Sequence, residues 1–510
     1  MVNKVYSNRI SEYAHENGGR VLILFLLFLL AIYEFLHSGL NIFAIVCISP
    51  VIILIGYSVF KWKMAAFWGL IVANYFVSFK NIHIPVPISL IDEAIELLLI
   101  AVAIIDTRYT VHFNRTLNVM LLAISIWFGF CLVEILNNTC GLGINLTAWI
   151  TGARLLVIQL FWIIIVFSIY VSSPQILTKY LKLWAWLSLF SAFWTWKMIN
   201  FGLTTAETSF LYGPGNLTHL LQAGTLIRYW STFSDAANYG CNAACAAIAF
   251  VIFGITTKIT KDKIFFFLVS IAVIWGMFQS GTRTAIFCMA GGFALFLVLS
   301  KSFRIMVPSA IIGGFFLILL VFTNIGNGNQ QIRRMRSAFD KKDASANVRD
   351  VNKAAIAKYM KDAPWGIGIG MFAENIPTRN KFRILSEIPP DSEYVFIWVR
   401  TGPIGVSIFA CCMLIMLAGA SYVVLFKLKS KSLIGIGAGL CAAFTAIQLG
   451  GYANQVIFQY PNGVTFYGGL AIVYILPYLE SDWIEYEKQQ LAKQEEKKKL
   501  KLEKKRATRV

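Results

Sequence analysis

The chain has 510 residues, of which 57% are hydrophobic, 15% aromatic and only 14% charged, and its formal net charge is +19. This composition excludes a protein built around one soluble core and favours repeated membrane crossings. The positive charge does not indicate nucleic-acid binding, because much of it lies in short loops between apolar runs. The nine cysteines form neither a disulfide framework nor a zinc pattern, and no metal or cofactor is predicted.

Apolar runs close to the length needed to span a bilayer recur from Val21 to Leu479, and we count about fourteen of them. Because no water is present in the bilayer core, each run has to satisfy its own backbone hydrogen bonds, so the predicted fold is an all-α polytopic membrane protein. The predicted spans are 21–36, 40–60, 64–79, 89–105, 117–136, 150–171, 183–199, 238–257, 264–279, 284–300, 305–324, 394–426, 433–450 and 463–479.

The fourth predicted span, 89–105, is the least typical because Asp92, Glu93 and Glu96 lie in its outer half. Ionisable residues at that depth usually face a protein interior or a water-filled cavity. The alternative is a short segment that lies half in the interface. Both interpretations remain open at this point.

Lysines and arginines fall on alternate loops along the whole chain, which predicts that both termini are cytoplasmic and that the number of spans is even. No cleavage site follows the first apolar run, so we predict an uncleaved first span. The predicted organisation is about eleven helices in 1–325, a large extracytoplasmic loop at 326–393, C-terminal helices at 394–482 and a basic cytoplasmic tail at 483–510. The tail is either solvated or in contact with anionic lipid head groups.

The polar interval from Asn324 to Gly405 is the segment where we expect the chemistry. It contains an amphipathic helical pattern at 345–362, capped by Ser345 or Asn347, and a glycine-rich turn at 366–370. It returns to the membrane at Asp391-Ser392-Glu393-Tyr394. A loop of this length escapes the positive-inside rule, so its basic residues do not contradict the topology.

Arg283 is the strongest candidate site residue, because it lies in Gln279-Ser280-Gly281-Thr282-Arg283-Thr284, where one span ends and the next begins. Ser280 or Thr282 is predicted to cap the new helix, whose N-terminus favours an anion. A guanidinium at this place makes a bidentate phosphate site. The alternative is an arginine that anchors the helix among lipid head groups.

Three further arginines are candidates. Arg228 lies in a polar loop on the same side, and Arg349 belongs to the 345–362 pattern, which otherwise forms an amphipathic helix on the bilayer surface. Arg400 lies two turns inside an apolar run, where a charge is costly unless it is paired. Its predicted ion-pair partner is Glu134, which has Arg154 as an alternative partner. Three other arginines are assigned to the surface helix, namely Arg333, Arg334 and Arg336.

The order of these motifs resembles that of the O-antigen ligase and O-antigen polymerase superfamily over roughly residues 92–479. The resemblance rests on the Arg228 loop, Ser280-Gly281-Thr282-Arg283-Thr284-Ala285, Pro364-Trp365-Gly366-Ile367-Gly368-Ile369-Gly370-Met371-Phe372 and Thr401-Gly402-Pro403-Ile404-Gly405. It implies a bacterial inner-membrane glycosyltransferase that takes glycans from undecaprenyl diphosphate on the outer face. It also implies that Arg283, Arg228 and Arg349 grip the diphosphate and stabilise its charge without a metal.

The chain departs from the family pattern at three places. Asp391-Ser392 stands where ligases have a His-Asn pair, Arg400 where they commonly have Glu, and Ala236 where proline is frequent. The missing histidine favours a polymerase, or another acceptor, over a ligase acting on a lipid core. A general base would then be Asp391 or Glu393, with two outlying candidates, His219 and Asp235.

The leading hypothesis is therefore an inverting polymerase or ligase of undecaprenyl-diphosphate-linked glycans in the synthesis of O-antigen, capsule or exopolysaccharide. Its expected partners are the lipid-linked oligosaccharide, membrane lipids and a chain-length regulator or flippase, with no nucleic acid. The expected catalytic residues are Arg283, Arg228 and Asp391, and the expected substrate-binding residues are Arg349, Arg400, Glu393 and His219. Alternatives are a transporter of the same glycans, although no repeat between halves is visible, and an assembly protein.

Overall fold

The described part of the chain covers residues 18–38, 53–82, 88–221, 226–323, 325, 327–337 and 344–507 of a computed structural model. The chain divides into two units, Met1–Ala66 and Phe67–Val510. In the first unit, helix α1 covers Gly18–Ser38, helix α2 covers 53–61, and helix α3 begins at Lys63. The first predicted span coincides with α1, whereas most of the second, 40–60, falls outside the described residues.

The second unit is built from helices, with one small antiparallel hairpin among its described residues. The hairpin pairs β1, Leu220–Leu221, with β2, Leu226–Ile227. The helices are α3 Lys63–Phe76, α4 Ile88–Ile105, α5 Val119–Val133, α6 Leu146–Ala153, α7 Gln159–Tyr170, α8 Pro174–Asn200, α9 Thr205–Leu211, α10 Ala236–Thr256, α11 Thr260–Gln279, α12 Thr284–Leu299, α13 Phe303–Phe322, α14 Gln330–Arg336, α15 Ala344–Met360, α16 Arg383–Glu387, α17 Glu393–Tyr422, α18 Lys431–Ala453 and α19 Gly468–Ala507.

Seven helical stretches within the described residues are long and apolar enough to cross a membrane. This confirms an all-α, multi-pass membrane protein, while the number fourteen remains a prediction. The seven stretches are Val119–Leu136, Leu146–Tyr170, Ala236–Thr256, Thr260–Gln279, Glu393–Lys427, Lys431–Ala453 and Gly463–Leu500. The last one extends into the predicted tail, because α19 runs unbroken past residue 483.

The centre of the bundle is formed by α10 and α18, which are buried on almost every side. Small residues allow this close packing, as is usual between membrane helices. A Cβ added at Gly292 of α12 would lie 2.7 Å from the carbonyl oxygen of Ala442 in α18, and one at Gly439 would lie 2.5 Å from the ring of Phe253 in α10. These helices therefore form a rigid support for the loops at their ends.

The acidic residues of α4 face the protein interior. Asp92 and Glu96 are fully buried, and Glu93 forms an ion pair with Arg154 at 2.8 Å. Of the two interpretations of this segment, the structure therefore favours the one in which the charges point inward.

The glycine motifs join the large loop to α17. The N–H groups of Ile367 and Gly368 donate to the carbonyls of Val399 and Arg400 at 2.9 and 3.0 Å. Gly402 interrupts α17 with φ of 68°, and a Cβ there would lie 2.0 Å from the carbonyl oxygen of Pro364. A positive φ and such a close approach both require glycine. The motifs at 364–372 and 401–405 therefore pack against each other, and we call this contact the glycine joint.

Candidate active site

The turn between α11 and α12, residues 280–283, is the centre of the candidate site. Ser280 Oγ donates to Met277 O at 2.7 Å and accepts from the N–H of Thr282 at 3.2 Å. Thr282 Oγ1 donates to Ala236 O, at the start of α10, at 2.7 Å. The prediction that Ser280 or Thr282 caps α12 is wrong, because Arg283 holds the cap position and no side chain caps the helix. Both hydroxyls instead fasten the turn to its neighbours.

Arg228 binds the same turn. Its Nε donates to Ser280 O at 3.3 Å and its Nη2 to Thr282 Oγ1 at 3.2 Å. Burial lowers the pKa of this guanidinium, an effect that Asp235 opposes and that the positive charges of Arg283 and Arg349 reinforce. The structure therefore brings together the three arginines that the sequence analysis selected, close enough for their charges to interact.

The large loop adds a fourth arginine to this cluster. Arg334 of α14 donates from Nε to Gly281 O at 2.7 Å, and Ser337 accepts from Arg283 Nη1 at 3.2 Å. The sequence pattern predicts a surface position for Arg334, whereas the structure places it against the turn. We call Arg228, Arg283, Arg334 and Arg349 the arginine cluster.

Arg349 is held by a residue that the sequence analysis missed. Its Nη2 donates to Asn454 Oδ1 at 3.4 Å, and Asn454 Nδ2 donates to Thr284 Oγ1 at 2.9 Å. Asn454 therefore links α15 to the start of α12. No local pattern marks this residue, which lies more than a hundred positions from Arg349 in the sequence.

Asp391 connects to the same helix. Its Oδ2 accepts from Asn352 Nδ2 at 2.8 Å, and Asn352 lies three residues after Arg349, on the same face of α15. The backbone of Asp391 has φ of 54°, an uncommon value for a residue with a side chain. The predicted base is thus half-buried in a constrained position next to the helix that carries Arg349.

His219 and Asp235, the two outlying candidates for the base, both accept hydrogen bonds from backbone N–H groups at the start of α10. The ring of His219 donates from Nδ1 to Asn216 O at 2.9 Å and accepts at Nε2 from the N–H of Ala236 at 3.2 Å, which requires a neutral imidazole. Burial lowers the pKa of His219, and the charge of Arg228 lowers it further. Asp235 caps α10 through the N–H groups of residues 237 and 238, at 2.8 and 2.9 Å.

Glu393 has a similar structural contact. It is only 4% exposed, and its Oε2 accepts from the N–H of Ile457 at 3.0 Å. This bond holds the segment that follows Asn454. Glu393 therefore has a structural role, since it holds the backbone that follows Asn454. Asp391 is half-buried and is the more exposed of the two acidic residues.

Neither predicted ion pair of Glu134, with Arg400 or with Arg154, forms in the structure. Arg400 instead meets a carbonyl and two aromatic rings. The guanidinium donates to Met371 O and lies 4.3 and 5.2 Å from the ring centres of Phe372 and Phe396. Glu134 accepts from Asn137, and Arg154 pairs with Glu93. The ion-pair prediction is wrong because the segment that follows the glycine turn brings the Met371 carbonyl and the Phe372 ring to the buried arginine. Phe396, one turn earlier in α17, supplies a second ring, and aromatic rings attract cations.

The described residues contain no group of three or more His, Cys, Asp or Glu side chains arranged to hold a metal ion. The arginine cluster offers a different means of binding an anion. Guanidinium groups bind phosphate oxygens in pairs, and several of them on polar loops at one end of a helical bundle suit a phosphorylated substrate carried in the membrane.

These features describe a polytopic membrane protein in which four arginines gather around one interhelical turn. Residues 266–410 match the family model described as O-antigen ligase, which supports the O-antigen ligase and polymerase superfamily and a role in polysaccharide biosynthesis. Proteins of this family transfer glycans. The matched region contains Arg283, Arg349 and Asp391, whereas Arg228 and Asn454 lie outside it. A comparison with curated proteins found no match.

Proposed function

We propose that the protein polymerises glycans carried on undecaprenyl diphosphate at the outer face of the bacterial inner membrane, with both termini in the cytoplasm. The observation that carries this proposal is the convergence of the arginine cluster on the turn between α11 and α12. A lipid diphosphate presents two adjacent anionic groups at the membrane surface. Several guanidinium groups around one turn match that charge distribution.

The arginine cluster would act on the leaving group. When the bond between the anomeric carbon and the diphosphate oxygen breaks, negative charge develops on the diphosphate. Fixed guanidinium groups stabilise that charge most in the transition state, and this electrostatic effect is often the largest part of catalysis. The charge stabilisation then comes from side chains, so we propose a metal-independent transfer.

Asp391 would act on the acceptor. A hydroxyl of the acceptor glycan attacks the anomeric carbon from the side opposite the diphosphate, so the configuration inverts, and its proton passes to the Asp391 carboxylate. Asn352 donates to one carboxylate oxygen and thereby orients the side chain. The products are the extended glycan and undecaprenyl diphosphate. A flippase that delivers the donor and a regulator of chain length are the expected partners.

A ligase is the second candidate, and the description of the matched family favours it. The two activities differ only in the acceptor, which is another lipid-linked glycan for a polymerase and a lipid core or another molecule for a ligase. Aspartate at position 391, where ligases of the family carry histidine, is the feature on which we prefer the polymerase.

The test is a reconstitution of purified protein in lipid with undecaprenyl-diphosphate oligosaccharide from the producing cell, without metal or nucleotide. Extension by whole repeats establishes a polymerase, and transfer only after a second acceptor is added establishes a ligase. We expect Arg283→Ala to abolish transfer while the protein remains folded in the membrane. Arg304→Ala, which removes an exposed arginine from α13, is the control. Normal product lengths with Arg283→Ala, or no transfer by the wild type to any acceptor, would contradict the proposal.

A further inference from the structure

A cleft of about 390 Å³ opens beside the arginine cluster. Its volume lies in the range of roughly 300–1,000 Å³ that is usual for sites of small ligands. Four segments form its walls: the C-terminal end of α8, the residues from β2 to Tyr229, the C-terminal end of α11 and the start of α14. The lining residues are Ile199, Leu226, Ile227, Tyr229, Gln279, Asn329, Gln330 and Gln331.

The lining is polar but carries no charge. It combines four side-chain amides with one tyrosine ring and three aliphatic side chains. Within the part of the chain that the structure describes, the amides of Gln279 and Gln330 have no hydrogen-bond partner. An amide donates and accepts hydrogen bonds equally well, so these two side chains are available to a ligand that does both.

Three of the four walls of the cleft are continuous with the arginine cluster. Arg228 stands between Ile227 and Tyr229, and the N–H of Tyr229 donates to Gln279 O at 3.3 Å. Gln279 directly precedes Ser280, whose carbonyl receives Arg228. The α14 wall is also continuous with the cluster, because this helix carries both Gln331, which lines the cleft, and Arg334.

We propose that this cleft binds an uncharged pyranose residue of the glycan substrate, next to the diphosphate held by the arginine cluster. This inference rests on the proposed function. A pyranose offers hydroxyl groups to the amides and an apolar ring face to Tyr229 and the aliphatic side chains. The donor glycan and the acceptor glycan share this chemistry, so the experiment has to distinguish between them.

Other ligand classes fit the cleft less well. An isoprenoid chain would cover the amides of Gln279 and Gln330 without satisfying them, which is unfavourable. A phosphate or carboxylate would meet no cation among the lining residues, because the guanidinium groups gather around the turn beside the cleft. The uncharged sugar is the class that uses both the amides and the apolar surface.

Gln279→Leu and Gln330→Leu test the inference because they remove the amides while keeping similar side-chain volumes. Gln330 is exposed and Gln279 half-buried, so both variants are expected to fold. Gln175→Leu, which replaces an exposed glutamine at the start of α8, is the matched control. The first probe is the oligosaccharide repeat released from its carrier, with binding to reconstituted protein followed by saturation-transfer NMR.

We expect each cleft variant to weaken binding of the released oligosaccharide by about five- to tenfold, the effect of losing one or two hydrogen bonds. Binding of sugar-free undecaprenyl diphosphate, measured separately, should stay unchanged. In transfer assays, a rise in the KM for the lipid-linked donor assigns the cleft to the donor sugar, and a rise in the KM for the acceptor assigns it to the acceptor.

Absence of oligosaccharide binding by the wild type, or equal binding by wild type and both variants, would overturn the cleft proposal. Because binding is read without turnover, this result is separate from a failure of the proposed function, which would appear as absence of transfer by the wild type. The variant Tyr229→Phe keeps the ring and removes only the hydroxyl, so its binding should stay closer to that of the wild type.

Discussion

Gly240→Ala should displace the turn between α11 and α12, around which the proposed catalytic arginines gather. A Cβ at Gly240 of α10 would lie 2.3 Å from Ser280 Oγ and 2.6 Å from Thr282 Cβ. Ser280 is fully buried and Thr282 is 3% exposed, so neither side chain has free space to move into. Ordinary contacts of this kind are about 3.4 Å or longer, so the turn has to shift by roughly 1 Å.

The expected cost follows from two opposing effects. Overpacking of a well-packed interior destabilises the folded state by about 1–3 kcal/mol. Replacing a helical glycine by alanine stabilises the helix by about 0.5–1 kcal/mol. The free energy of unfolding should therefore fall only moderately. The effect on transfer should be larger, because a misplacement of about 1 Å in a catalytic group reduces rates by about 100-fold, and Arg283 belongs to the displaced turn.

Gly129→Ala is the matched control, since Gly129 is also helical and no atom lies within 4 Å of a Cβ placed there. Its melting temperature should stay unchanged or rise, and its transfer rate should equal that of the wild type. Both variants are compared by thermal unfolding in detergent and by the reconstituted transfer assay. Equal transfer rates for Gly240→Ala and Gly129→Ala would refute the reasoning that the turn positions the catalytic arginines.

Two further predictions concern titratable groups. Asp391→Asn should abolish transfer but preserve folding, because asparagine tolerates the positive φ and its side-chain oxygen can still accept the hydrogen bond from Asn352. Substantial transfer by this variant in the reconstituted assay would exclude Asp391 as the base. Since burial lowers the pKa of His219 below its ordinary 6.5, its contribution to stability is present above pH 6.5 and is lost as the pH falls through the lowered native value. His219→Gln, which can still accept from the N–H of Ala236, should reduce this acid loss in melting temperatures recorded from about pH 8 to 5; identical pH profiles would contradict the assignment.

The helical architecture and the principal arginines could be predicted because both depend on local sequence. Apolar runs of sufficient length predict helices directly, and the 345–362 pattern corresponds to α15 at Ala344–Met360. Because α15 already begins at Ala344, Ser345 and Asn347 lie inside the helix, and the prediction that one of them caps it is wrong. Arg283 stood out because it lies where one predicted span ends and the next begins, and the family resemblance added Arg228 and Arg349.

The partners of the site residues could not be predicted, because they come from distant parts of the chain. Asn454 binds Arg349 from the end of another helix. Arg400 was expected to find a carboxylate, yet its partner is a backbone carbonyl, and a carbonyl leaves no mark in a sequence. Arg334 resembled the other basic residues of its segment, and only the docking of α14 on Gly281 separates it from them.

The large loop is fastened at both ends, and this explains how residues remote in sequence form one site. At one end, Arg334 holds α14 against the turn between α11 and α12. At the other, the glycine joint pairs Ile367 and Gly368 with the backbone of α17. Helix α15, with Arg349, lies in the sequence between these attachments, and Asp391 follows the second one. The family match over 266–410 spans both attachments, so the matched unit contains the loop together with α12, α13 and the adjoining parts of α11 and α17.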